Sequence, residues 1–160
     1  MRAFSILAVI AALAAASSGR EATSKIVIYR LRGANFGLIH YSQGKTPTVS
    51  CDGVKIARIG EDRKALVSAV AGKYICIAKE QQPGAMDASS KSLTLDIAPN
   101  KTIYLRLQVH FGHLHFLLQE VPIETGEAEA QKLLLVKDKN LYASVLKPLK
   151  HEATGSPHSN

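Results

Sequence analysis

Absences bound this 160-residue sequence first. After its opening segment no apolar run approaches the roughly 18 residues that a membrane-crossing helix needs, so no further transmembrane segment is expected. There is no G-x-S-x-G, no H-E-x-x-H and no phosphate-binding glycine-rich loop. No pair of acids stands in a context that would raise one of them for proton transfer, and a non-enzyme is expected. Cysteine is scarce, with two residues and no Cys-x-x-Cys, which removes the usual dithiol redox arrangement. Acidic residues are few as well, 13 against 20 Lys and Arg, for a net charge of +7. Charged residues make up only 21% and hydrophobic residues 46%, a balance that excludes a disordered chain. The length excludes a large multidomain enzyme and suits one domain.

What is present begins with an address. Arg2 precedes an uncharged, mostly apolar stretch from Ala3 to Ala16, and Ala14-x-Ala16 offers small residues for cleavage before Ser17. Residues 1–16 therefore read as a secretory signal peptide, and the protein is expected to be exported, periplasmic or secreted. No cysteine follows the cleavage region, so no lipid anchor is expected. Loss of residues 1–16 removes Arg2 and no acid, and the +7 becomes +6.

The chain then reads as short strands. KIVIYRLR from Lys25 is β-branched and aromatic. In TPTVSCDGVKIARIG, two apolar runs flank Asp52-Gly53, the dipeptide of a two-residue hairpin whose central positions both need positive φ. Two further strands flank Ala71-Gly72, and QQPGAMDASS (81–90) reads as a surface loop. Leu93, Leu95 and Ile97 alternate with polar neighbours, Pro99-Asn100-Lys101 makes a turn, and Ile103, Leu105, Leu107, Val109 and Phe111 fall on one face. HLHFLLQEV adds another strand, and TGEAEAQKLLLV predicts one short helix with Thr125 as N-cap. NLYASVL is strand-like, and the polar tail over 150–160 is expected to be disordered. Closely spaced turn signals without intervening helices predict a mainly β, antiparallel sandwich spanning 25–149 with one short C-terminal helix.

The order of features, Tyr29-Arg30 in the first strand, V-S-C-D-G (49–53), A-G-K-Y (71–74), L-T-L-D-I-A-P-N-K-T-I-Y (93–104) and a terminal E-A-E-A helix, resembles a family of uncharacterised exported bacterial domains over about residues 25–136. The resemblance implies an Ig-like or transthyretin-like β-sandwich that is exported, non-catalytic and without assigned activity. The lipid-acceptor cysteine frequent in that family is missing here. The resemblance also implies that Cys51 and Cys76 occupy inward positions.

Three sets of residues are candidates for function. Cys51 and Cys76 are an even pair in a chain read as exported, which permits a disulfide; the alternative is two separate buried thiols. His110, His113 and His115 in VHFGHLHF put imidazoles at spacings that suit a shared Zn²⁺ or Cu²⁺, and the alternative is a solvated strand face. Lys and Arg are spread over every strand with no compact run, so no nucleic-acid partner is expected. Within that excess, Arg30, Arg32 and Arg106 form an anion-binding candidate if their strands are neighbours. The reading is an exported, non-enzymatic cell-envelope binding or accessory module with no cofactor. A metal-binding exported protein and weak association with anionic envelope polymers or lipid head groups are its alternatives, with a cell-envelope protein or anionic polymer as the partner.

Overall fold

The β-branched run at Lys25 becomes strand β1 (Thr23–Arg30), which lies inside a sheet and not at its edge. In the computed structural model, residues 23–32, 45–80, 91–110 and 115–148 are described. After β1 come β2 (Thr48–Cys51), β3 (Val54–Arg58), β4 (Arg63–Val70), β5 (Gly72–Lys79), β6 (Leu93–Ile97), β7 (Thr102–His110) and β8 (His115–Val121). Helix α1 (Ile123–Ala130), β9 (Leu134–Leu135), a 3-10 turn at Asp138–Asn140 and β10 (Val145–Leu146) complete the order. The expected leader over 1–16, the loop at 81–90 and the tail over 150–160 lie outside the described residues.

The elements form a mainly β sandwich with one short helix, as the sequence predicts. The smaller sheet, β3-β2-β5-β6, is antiparallel throughout. Its β2–β3 hairpin turns at Asp52 and Gly53, with φ of 48° and 77°, the double positive φ that this dipeptide tolerates. The larger sheet runs β10-β4-β1-β7-β8, with β9 also on β4. It departs from the antiparallel expectation: β1 runs parallel to β7, and β9 and β10 run parallel to β4. The physical reason is that β4 and β5, and likewise β6 and β7, are consecutive in sequence but belong to different sheets. Turn chemistry reports that the chain reverses, not which sheet the next strand joins.

Alternation along the strands builds the core between the sheets. Ile26 and Ile28 of β1, Val67 of β4, Ile103, Leu105 and Leu107 of β7, and Phe116 and Leu118 of β8 meet Val49, Ile56, Tyr74, Leu95 and Ile97 of the smaller sheet. β1 also buries its other face. Val27 and Tyr29 form a second cluster with Val121 and Ala130 beneath α1, so the helix makes a third layer on the outside of the larger sheet. Such two-sided burial explains why KIVIYR reads as an apolar run and not as a clean alternation.

The helix differs from its prediction at both ends. It begins at Ile123, with Pro122 at the N-cap position and no side-chain cap, so Thr125 lies inside its first turn. Proline fits this entry because its φ of −52° with ψ of 148° is the extended backbone of an N-cap, and its carbonyl accepts from the Gly126 amide at 2.9 Å. The LLLV run is not helical: Leu134 and Leu135 pair with β4 instead. The helix sits close to the sheet because Gly126 has no side chain; a Cβ there would overlap Cβ and Cγ of Tyr104.

Candidate functional site

Cys51 on β2 and Cys76 on β5 stand directly opposite each other in register and are joined by a disulfide, with Cα atoms 4.0 Å apart. Both are buried in the core between the sheets. The bridge thus ties two neighbouring strands of the smaller sheet.

The histidine candidates fall at the β7–β8 connection. His110 and His115 are paired in register, while His113 lies outside the described residues. Among the described residues no group of three or more His, Cys, Asp or Glu is placed to hold a metal ion.

The arginine candidates are divided. β1 and β7 are neighbours, but Arg30 and Arg106 are directed to opposite faces of their sheet. Arg30 lies on the inner side, buried, with its guanidinium over the Phe116 ring at 5.0 Å. It donates to the Lys45 carbonyl at 2.7 Å and pairs with Glu61 at 3.2 Å. Burial pulls its pKa down, against the charges of Glu61, Asp62 and Glu80. Arg106 lies on the outer side, where it pairs with Glu129 at 3.0 Å and donates to Gln119 at 3.1 Å. Arg32, beyond the end of β1, is exposed and pairs with Asp62 at 3.1 Å. The three therefore do not form one anion site; each has its own carboxylate.

The outer face of the larger sheet carries a groove of about 570 Å³ beside α1. Val27, Leu66 and Tyr104 floor it, and Glu124, Glu127, Ala128 and Gln131 wall it from the helix. Those four residues follow the i, i+3, i+4, i+7 spacing that places them on one helix face. Lys25, Lys64 and Ala130 complete the lining. Lys64 Nζ donates to the Ala130 carbonyl at 2.8 Å, so one ammonium satisfies the end of the helix. The groove therefore offers an apolar floor, an acidic wall and the exposed ammonium of Lys25, an arrangement suited to holding an amphiphilic ligand.

Polar bonds join the apolar cluster in holding the helix beside this groove. Tyr29 Oη donates to Glu129 Oε2 at 2.5 Å, and Arg106 donates to the other carboxylate oxygen. Burial first, then the hydrogen bond to Glu129 and that carboxylate's charge, pushes the Tyr29 phenol far above its ordinary pKa. Sequence reasoning missed Tyr29, Glu129 and the groove residues, because they meet through the parallel β1–β7 pairing. The signal available was the two-sided apolar character of KIVIYR, which calls for a covering layer.

No family model matches this chain, and it finds no match among curated proteins or solved structures. Among the described residues no helix is long and apolar enough to cross a membrane.

Proposed function

We propose that this chain is an exported β-sandwich that serves as a non-enzymatic binding or accessory module of the cell envelope, with the groove beside α1 as its ligand-facing surface. The observation that carries the reading is the buried disulfide between Cys51 and Cys76, a bond that forms and persists in oxidising compartments outside the cytosol. The secretory character of residues 1–16 and the motif order that resembles exported bacterial domains support the same placement. The groove supports a binding role, since its lining pairs an apolar floor with a charged rim. Cell fractionation with thiol alkylation and mass spectrometry tests it. The expected result is a bridged protein in the exported fraction, shortened at its N-terminus; a full-length cytosolic protein with two alkylated thiols would overturn the reading.

A further inference from the structure

Register sorts the outer face of the larger sheet into rows. Leu66, Val27 and Tyr104 stand side by side on β4, β1 and β7. In the next row Leu135, Lys64 and Tyr29 stand side by side on β9, β4 and β1. Helix α1 crosses these rows obliquely. Gly126 lies on Tyr104, which puts that turn over β7. Ala130 packs with Val27 and Tyr29 and its carbonyl accepts from Lys64, which puts the last turn over β1. Two strands away from β7 in the first row is Leu66, and two strands away from β1 in the second is Leu135. At about 4.8 Å per strand both leucines lie about 10 Å to one side of the helix, the distance at which a second helix packs beside a first. Leu66 is 36% exposed and Leu135 55%, and Val145, paired with Ser68 and 49% exposed, extends the same face at its edge. Leu134, the partner of Arg63, is directed to the opposite face and takes no part.

The side of α1 turned towards this lane is acidic. Glu124 and Glu127, one turn apart, line the groove and are exposed, and among the described residues neither side chain has a hydrogen bond or an ion pair. Lys64 is held at the end of α1, while Lys25 stands one row beyond Val27, at the end of the groove that α1 runs away from. We infer that the lane is the seat of an amphipathic helix of a partner protein, lying antiparallel to α1. Its apolar stripe rests on Leu66 and Leu135, its basic edge faces Glu124 and Glu127, and its carbonyl end, the negative pole of the helix, arrives at Lys25. Charge and extent select this occupant. An anionic bilayer would be repelled by the two glutamates. A second copy would bring α1, the one α-helix of the described residues, and set the same glutamates against themselves. A small cationic amphiphile would fill the groove and leave Leu135 and Val145, which lie outside its lining, in water.

The inference rests on the reading of the groove as the ligand-facing surface of an exported module, and peptide binding tests it separately from export. The disulfide-bridged protein recovered from the producing cell is titrated against a labelled peptide of about 18 residues built from Leu, Ala and Lys, with leucines at i, i+3, i+4 and i+7, and binding is read by fluorescence anisotropy. A peptide with Glu in place of Lys, and a shuffled peptide of the same composition without an apolar stripe, should each bind at least about tenfold more weakly. Leu135→Ser should weaken binding of the Lys peptide about tenfold, and Glu124→Gln with Glu127→Gln about fivefold, with loss of most of its salt dependence. Both variants change exposed side chains, and an unchanged melting temperature checks that they fold. Equal binding of the Glu peptide or of the shuffled peptide overturns the inference. So does a Leu135→Ser protein that binds as the parent does, and so does a concentration-dependent dimer that Leu135→Ser abolishes, which would give the lane to a second copy. If a bridged, exported protein ignores the Lys peptide, the helix seat is wrong and the exported-module reading stands; a cytosolic protein with free thiols removes that reading itself.

Discussion

Tyr29 of β1 donates its hydroxyl to Glu129 of α1 at 2.5 Å, so the middle strand of the larger sheet holds the helix that forms one wall of the groove. Tyr29→Phe keeps the ring packing and deletes the bond, for an expected loss of about 1–2 kcal/mol in urea unfolding at neutral pH. The bond also sets an alkaline limit. Because the folded protein keeps the phenol protonated beyond its ordinary range, it binds a proton that the unfolded chain releases near pH ~10, and stability falls as pH rises past that point. Unfolding midpoints at about pH 8 and about pH 11 should therefore diverge more for the parent than for Tyr29→Phe. Identical alkaline losses in the two proteins would contradict this.

Gly126 should not accept even one methyl group. Its built Cβ would collide with the Tyr104 Cβ as well as the ring, and an atom so near the backbone cannot swing aside as a side-chain tip does. Gly126→Ala should cost about 1–3 kcal/mol by overpacking, although alanine is the better helix former by about 1 kcal/mol. A thermal melt at or above that of the parent would show that the helix can lift without loss.

Removing the bridge should be felt throughout the molecule. Cys51 and Cys76 are 25 residues apart, and closing a loop of that length restricts the unfolded chain by about 3–4 kcal/mol in the chain-entropy account. The Cys51→Ala, Cys76→Ala protein should lose at least that amount in guanidinium unfolding, with a small further cost for the two buried sulfur positions it empties. A midpoint within error of the parent's would mean the register alone fixes these strands.

Arg30 and Arg32 make a matched comparison within one stretch of chain. Arg30 is buried with Glu61, and its loss leaves a largely desolvated carboxylate; Arg30→Ala should cost about 3–5 kcal/mol. Arg32 and Asp62 are exposed, 77% and 43% by side chain, and Arg32→Ala should cost no more than about 0.5 kcal/mol. Salt should change the second value and leave the first nearly untouched. Similar costs at both positions would place Arg30 in solvent.

Local turns and strand faces were legible in the sequence; partners were not. Asp52-Gly53 marked its hairpin because few other dipeptides accept two positive φ values, and Ile103, Leu105 and Leu107 marked a buried face because the pleat has a period of two. The same logic could not reveal that β5 leaves the sheet of β4, since a strand reads alike in either sheet. It also could not divide Arg30 from Arg106: each follows an apolar residue, and only the parallel register of β1 with β7 shows that Tyr29, not Arg30, stands beside Arg106. The Cys51–Cys76 pairing was legible because only two cysteines exist. The Leu-rich stretch after α1 was misread because adjacent leucines suit a helix as well as an edge strand, and what decided it was the open side of β4.

The position of β1 has a consequence for how the molecule is made. Ile26 finds its partners at Val67 on one side and Ile103 on the other, so β1, the first strand of the described residues, waits during synthesis for residues far behind it. Until they arrive, an eight-residue strand with the apolar stretch Ile26–Tyr29 has both edges free. Folding cannot proceed by adding strands in order of appearance, and slow, late closure is expected of such remote pairing. The interval before residues 102–106 are delivered is when this chain is most vulnerable to aggregation and most in need of a holding chaperone.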